Sequence, residues 1–98
     1  MQTARPAPID IPLCQPGHRP QIVTNTGAPM GHQLGQPCPP LVHFECHQCR
    51  LATVPSPSLA IAELRWTDPS LRDQLISISH LARARAEVLA RLPAQRAA

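Results

Sequence analysis

Short hydrophobic stretches alternate with stretches rich in proline and glycine over the first half of the chain. Residues 21–26 are rich in β-branched side chains and predict a strand. Residues 41–45 predict a second strand that runs directly into Cys46, and residues 51–54 predict a third. Residues 27–40 contain three glycines and four prolines, which predicts an irregular loop between the first two strands.

The segment before the first strand shows little hydrophobic patterning. Residues 1–8 predict a disordered tail, and residues 9–14 predict a short extended segment that leads to Cys14. We therefore place the start of the folded domain at residue 9.

Helical patterning begins near residue 56. Ser56 is a suitable N-cap and Pro57 suits the first helical position, so we expect a helix over about residues 57–66. Asp68, followed by Pro69, ends this helix and is able to open another.

The period of the C-terminal third is ambiguous. Residues 71–92 fit a single helical stripe, whereas residues 75–79 also alternate as a strand does. We favour a shorter helix over about residues 79–92, with Ser79 as its cap and Pro93 at its end.

The composition limits the size of the core. The chain has 98 residues, of which 13 are proline, and it contains one Phe, one Trp and no Tyr. The prolines exclude a long helical bundle over the first two-thirds of the chain, and the length excludes a Rossmann fold or a TIM barrel. We expect Phe44 and Trp66 to lie in a thin core, and domains of this size commonly depend on a metal, disulfides or a partner.

The four cysteines point to a metal site. No hydrophobic stretch resembles a secretory signal or approaches the roughly 18 residues that cross a membrane, so we expect a cytoplasmic protein with no membrane partner. Thiols stay reduced in the cytoplasm, which favours metal ligation over disulfides.

Two pairs of residues have the spacing of metal-binding knuckles. Cys46 and Cys49 form a C-x2-C pair, whose two thiolates can reach one tetrahedral ion. Cys14 and His18 form a C-x3-H pair, with a Pro-Gly turn between them. Two antiparallel strands joined by a loop would bring the two knuckles to one end of a sheet. We predict structural Zn²⁺ bound by Cys14, His18, Cys46 and Cys49.

The ligand set has alternatives. Cys38 is an alternative fourth ligand in place of His18, and the C-x2-C pair is also compatible with redox chemistry or with cysteines that only pack in the core. We expect His32, His43 and His47 not to be ligands, with the ring of His47 pointing outward. Four protein ligands leave no open position for water, and no nucleophile elbow, phosphate loop or H-E-x-x-H motif is present. We therefore expect no enzyme activity.

These elements predict a small α+β fold. A zinc-ribbon-like antiparallel sheet of two to three strands, stapled by zinc at one end, would be followed by one short and one longer helix. The zinc-ribbon-like domain would span residues 9–67, and residues 68–98 would form a C-terminal extension with a frayed end.

The order of motifs over residues 12–66 carries a family resemblance. The first knuckle is followed by a strand that runs into the second knuckle, then by Thr53 and by a helix that reads Ala-Ile-Ala-x-x-x-Trp and ends at Trp66. This order resembles the restriction alleviation protein Lar family, small zinc ribbons of phages and prophages. The family's first knuckle is usually C-P-x-C-G, whereas this chain has one more residue and His18 in place of the second cysteine.

The resemblance implies a non-catalytic phage or mobile-element protein in the bacterial host cytoplasm. It would modulate a defence system, by restriction alleviation or as an anti-CRISPR protein, through binding a protein target. The net charge of +3 argues against a DNA mimic. We expect Arg83, Arg85 and Arg91 to form the partner-binding surface. A zinc-dependent DNA-binding regulator of the ogr/Delta type is the alternative, and a homodimer through the apolar stripe of the last helix is also compatible with the sequence.

Overall fold

The computed structural model describes residues 2–8, 11, 17–27 and 38–92. Those residues form a small α+β fold with five strands, as predicted for the class but with more strands than the two or three expected. The strands are β1 Gln2–Pro6, β2 Gln21–Asn25, β3 Leu41–Cys46, β4 Leu51–Ala52 and β5 Ile76–Ser77. The helices are α1 Leu59–Thr67 and α2 Leu81–Arg91, and two 3-10 segments span Pro69–Gln74 and Ile78–His80. None of the described helices is long and apolar enough to cross a membrane.

The strands form one antiparallel sheet in the order β1-β2-β3-β4-β5. In the β2–β3 pair, Ile22 lies opposite Phe44 and Val23 lies opposite His43. Side chains alternate between the two faces of a strand. Ile22 and Phe44 therefore share one face of the sheet, and Val23 and His43 share the other.

The first face packs against α1. The rings of Phe44 and Trp66 stack with their centroids 6.3 Å apart and 21° between their planes. Ala62, one helical turn before Trp66, is fully buried at the same contact. The core cluster on this side contains Ala7, Ile11, Ile22, Phe44, Cys46, Ala62 and Trp66. The predicted core positions of Phe44 and Trp66 are thus confirmed.

The second face lies toward α2. Val23, Leu41 and Leu89 are fully buried but lie outside the α1 core cluster. An open cleft on this side is lined by residues of the first three strands, the second 3-10 segment and α2. The sheet is therefore covered by a helix on each face, with an opening on the α2 side.

The predicted disordered tail of residues 1–8 is wrong over most of its length, because Gln2–Pro6 forms β1 and pairs with β2 along its whole length. Ala7 extends the contact by donating its N–H to the Pro20 carbonyl (3.0 Å). All side chains of β1 are exposed. The strand is held by backbone pairing, which leaves no hydrophobic pattern to read in the sequence.

Helix α1 begins two residues later than predicted, with Ser58 as its N-cap. The Ser58 hydroxyl accepts from the Ile61 N–H (3.2 Å). Ser56, the predicted cap, instead pairs through its backbone with Val42, at 2.8 and 3.0 Å. Its hydroxyl accepts from the Ser58 N–H (3.1 Å). The backbone of residue 56 is therefore committed to the sheet, and the helix starts only beyond it.

The predicted helix stop at Asp68 and Pro69 is confirmed. The Asp68 N–H donates to the Leu64 carbonyl (2.9 Å), and the Asp68 side chain caps the following 3-10 segment. Its carboxylate accepts from the Ser70 hydroxyl (2.8 Å) and the Ser70 N–H (2.9 Å). Hydrogen bonds from the Ser70 hydroxyl and backbone lower the pKa of Asp68.

Residues 70–79 combine the two alternatives that the sequence left open. The 3-10 segment ends at Gln74, and β5 then pairs with β4. Helix α2 begins at Leu81 and not at residue 79, and His80 makes no side-chain cap. The cap of the second 3-10 segment is Ser77, whose hydroxyl accepts from the Ser79 N–H (3.3 Å).

Three predicted features lie outside the described residues. They are the extended segment of residues 9–14 apart from Ile11, most of the loop of residues 27–40, and the chain after residue 92. β5, however, belongs to the predicted C-terminal extension and is part of the same sheet as β1–β4.

We predict that Trp66→Ala lowers the free energy of unfolding of the zinc-loaded protein by about 3–5 kcal/mol, because it removes the largest buried side chain of the α1 contact. The matched control is Leu64→Ala on the same helix, whose side chain is 54% exposed and whose loss should change stability by about 0.5 kcal/mol or less. Urea denaturation measures both. Equal losses in the two variants would contradict the packing of α1 on the sheet.

Candidate metal centre

The second knuckle is a tight turn between β3 and β4. Cys46 is the last residue of β3 and pairs with Leu51, the first residue of β4. Residues 47–50 therefore close the hairpin, and Arg50 adopts a left-handed conformation with φ 56° at its end. This turn carries both cysteines of the C-x2-C pair, as the spacing predicts.

His18, the described ligand candidate of the first knuckle, reaches the same place through the register of β2. Gln21 lies opposite Glu45, so the residues just before β2 run alongside the end of β3. His18 stands three residues before Gln21 and is brought next to the Cys46–Cys49 turn. Gly17 precedes it with φ 82°, a left-handed conformation that favours glycine and matches the predicted Pro-Gly turn.

Potential ligand atoms of His18, Cys46 and Cys49 lie within 4.8 Å of one another. The Cys49 Sγ is 3.5 Å from the His18 Nδ1. In a tetrahedral zinc site, Zn–S and Zn–N bonds of usual length place neighbouring sulfur and nitrogen ligands about 3.6 Å apart. Cys46 is fully buried, and the other two residues are half-buried. The three residues therefore form a group that could hold one metal ion.

The structure places His18 and not its predicted alternative Cys38 beside Cys46 and Cys49, and Cys14 is the remaining predicted ligand. Cys14 lies outside the described residues, so its place in the shell stays a prediction. Cys38 is described and is not part of the three-residue cluster. Its thiol donates to the Gly27 carbonyl (3.3 Å) on the loop side of β2. The structure thus brings together three of the four predicted ligands and does not bring Cys38 to them.

A His-Glu-His cluster adjoins the knuckle on the opposite face of β3. Glu45 Oε1 accepts from the His43 Nε2, and Glu45 Oε2 accepts from the His47 Nε2, both at 2.7 Å. The side chains of His43 and Glu45 are 2% and 4% exposed, whereas His47 is 70% exposed. The outward position of His47 agrees with the prediction, and neither histidine belongs to the metal cluster.

The pattern of residues in the sequence does not predict this cluster as a unit. His43 and Glu45 are two residues apart on one strand, which places them on the same face. His47 lies beyond the end of β3, and only the turn geometry brings it to the free carboxylate oxygen. The period-two spacing of His43 and Glu45 was therefore the one signal available in the sequence.

The three predicted partner-binding arginines do not form one surface. Arg83 Nε donates to Glu87 Oε1 (3.3 Å) on the exposed side of α2. Arg85 is half-buried and donates through Nη2 to the Gly27 carbonyl, on the side that faces the cleft. Arg91 is exposed at the last residue of α2. Residues two apart on a helix point about 200° apart, which separates Arg83 from Arg85.

A scan of protein-family models, a search of curated proteins and a search of solved structures each found no significant match. The candidate site is accordingly assigned from its own residues and geometry.

We predict that the purified protein retains one zinc per chain after dialysis against metal-free buffer. Replacing any one of the four predicted ligands should release most of this zinc, because three remaining ligands hold the ion far more weakly than four. The variants are Cys46→Ser, Cys49→Ser, His18→Asn and Cys14→Ser. Cys38→Ser should retain the zinc. Elemental analysis alongside native mass spectrometry measures the stoichiometry.

The Cys14 and Cys38 variants form the decisive pair of this experiment. Loss of zinc from Cys38→Ser with retention in Cys14→Ser would assign the fourth position to Cys38. Full retention of zinc in Cys46→Ser and Cys49→Ser would contradict the site itself.

Proposed function

We propose that this chain is a zinc-stapled binding module that modulates a bacterial defence system by binding a protein of that system. The observation that carries the proposal is the convergence of His18, Cys46 and Cys49 at the end of the β2–β3 hairpin. A metal at this point would tie the segment before β2 to the turn after β3. It would thereby hold a small sheet together whose core contains a single pair of stacked aromatic rings.

The role of the metal in this proposal is structural. With Cys14 as the fourth ligand, three thiolates and one imidazole form a Cys₃His shell, a common structural zinc site. Such a shell leaves no position for an activated water. The zinc would therefore contribute folding free energy, and the surface it stabilises would do the binding.

The resemblance to the Lar family supports the defence-modulating role. It rests on the order of the two knuckles, the strand that runs into the second knuckle, and a helix that ends near Trp66. Helix α1 spans Leu59–Thr67, in agreement with that order. The net charge of +3 is unlike the strongly acidic surface that a DNA mimic requires. We place the protein in the host cytoplasm, where the defence enzymes act.

The partner-binding surface is proposed on the outer side of α2. Arg83 and Arg91 are both exposed, and eight residues on a helix bring them within about 80° of each other. Arginines of this kind suit an acidic or hydrogen-bonding protein surface. Arg85 faces the cleft and is left out of this surface.

We predict that expression of the chain raises the plating efficiency of unmodified phage on a host with an active type I restriction system. Cys46→Ser should abolish the effect, because without zinc the folded module is lost. Cys38→Ser is the matched control, because it removes a thiol that lies outside the group formed by His18, Cys46 and Cys49, and it should retain the effect. Plating counts on restricting and non-restricting hosts give the measurement.

Two results would contradict this proposal. The first is an unchanged plating efficiency with zinc-loaded protein present at measurable levels. The second is saturable binding of the purified protein to duplex DNA, with an affinity that falls steeply as salt rises. That second result would instead favour a DNA-binding regulator of the ogr/Delta type.

A further inference from the structure

An open cleft of about 560 Å³ lies between the sheet and α2. The buried pair His43 and Glu45 lines it from β3, and Arg85 lines it from α2. The side chains of Ile78 and Leu81 form an apolar part of the cleft wall. Small-molecule sites are typically concave, largely apolar and about 300–1,000 Å³, with a few polar groups that orient the ligand. The cleft has this size and this mixture of side chains.

The carboxylate of the cleft is already hydrogen-bonded through both of its oxygens. Glu45 is the single acidic side chain among the described residues that line it. Both of its oxygens accept hydrogen bonds at 2.7 Å, from His43 and from His47. A buried carboxylate needs such partners to offset its lost hydration. Arg85 therefore adds a positive charge to a cleft whose one carboxylate is internally paired.

Two buried polar atoms in this cleft have no hydrogen-bond partner within the described part of the chain. They are Nδ1 of His43 and Nε of Arg85. More than about 90% of buried polar groups in folded proteins are paired, so two unpaired nitrogens on residues that line one cleft are hydrogen-bonding positions that a bound molecule can satisfy.

The two atoms differ in what they require from a ligand. Since a carboxylate only accepts, the Nε2 of His43 carries a hydrogen toward Glu45, and in the neutral form of the ring Nδ1 is then an acceptor. The Nε–H of Arg85 is a donor on a cation. A complementary ligand thus presents a hydroxyl donor close to an anionic oxygen.

A second cavity of about 440 Å³ lies next to this cleft. His47 and Ile78 line both cavities, so they adjoin. The second cavity adds the guanidinium of Arg50 and the hydroxyls of Ser77 and Ser79, and none of its described lining residues is acidic. We call these two adjoining cavities together the groove, with Arg85 in its first part and Arg50 in its second.

We infer that this groove binds a phosphorylated sugar, either in a free nucleotide or in the backbone of a nucleic acid. Arg85 and Arg50 hold phosphate oxygens, for which guanidinium groups are well suited. A sugar hydroxyl donates to the His43 Nδ1, and Glu45 keeps that ring in the accepting tautomer. This binding site goes beyond the proposed protein-binding role and does not use Arg83 or Arg91.

The test uses the zinc-loaded full chain labelled with ¹⁵N and titrated with adenosine 5′-monophosphate at constant ionic strength. We expect saturable shifts of the Arg85 Nε–H resonance, with the Arg83 Nε–H resonance as the internal reference. Adenosine is the matched ligand control and should produce no such shift, because it lacks the phosphate. A short single-stranded DNA, titrated in parallel, distinguishes the nucleic-acid backbone from the free nucleotide.

Charge-matched variants locate the site. Arg85→Gln and Arg50→Gln should each weaken binding about tenfold or more, as expected for the loss of a charged hydrogen bond. Arg91→Gln removes the same charge outside the groove and should change the affinity by about twofold or less. Because Arg50 is exposed, its variant keeps the test valid if Arg85→Gln disturbs the fold.

The outcomes separate clearly. Saturation by the nucleotide with selective loss in Arg85→Gln or Arg50→Gln supports a nucleotide site, and the same pattern with DNA alone supports binding of a nucleic-acid backbone. Three results would overturn the inference: no saturable shift with either ligand, equal responses to adenosine and its phosphate, or equal weakening in Arg91→Gln. None of them bears on plating efficiency, so failure here is distinct from failure of the proposed function.

Discussion

The antiparallel pairing of β2 with β3 is the constraint on which the rest of the structure depends. Gln21 lies opposite Glu45, and this register places His18 beside the end of β3, where Cys46 and the following turn stand. A shift of one residue would exchange the two faces of a strand. It would also move His18 away from the turn. One register therefore sets both the metal cluster and the choice of side chains that meet each helix.

Strand β3 carries different chemistry on its two faces. Phe44 and Cys46 join the core under α1, whereas His43 and Glu45 lie buried on the side of the α2 cleft. The Glu45 carboxylate also reaches His47 in the knuckle turn. The turn is thus flanked on one side by the potential metal ligands and on the other by the hydrogen-bonded His-Glu-His cluster. Through it, the metal cluster and the cleft are physically joined.

The thinness of the core explains why a metal suits this fold. Helix α1 buries only Ala62 and Trp66, while Leu59, Ile61 and Leu64 stay 40–54% exposed. The small side chain of Ala62 allows the helix to approach the sheet closely, so that Trp66 stacks on Phe44. Hydrophobic burial of this extent is modest for a domain of this size. A metal that ties the two knuckles together adds stability where the core supplies little.

The sequence by itself determined the elements whose signals are local. The pattern of β-branched and apolar residues predicts strands β2 and β3. Ligand spacing predicts the C-x2-C turn, and turn chemistry predicts the end of α1 at Asp68. The burial of Phe44 and Trp66 follows from their being the only large aromatic residues in the sequence. Tertiary structure decided the rest. β1 is held by backbone hydrogen bonds alone, and Ser56 is drawn into the sheet and so gives up the cap to Ser58. The helical period by itself separates Arg85 from Arg83, whereas the placement of Arg85 and the buried Glu45 along one cleft depends on where α2 lies relative to the sheet. These outcomes depend on contacts between segments distant in sequence, and a local pattern of residues carries no record of such contacts.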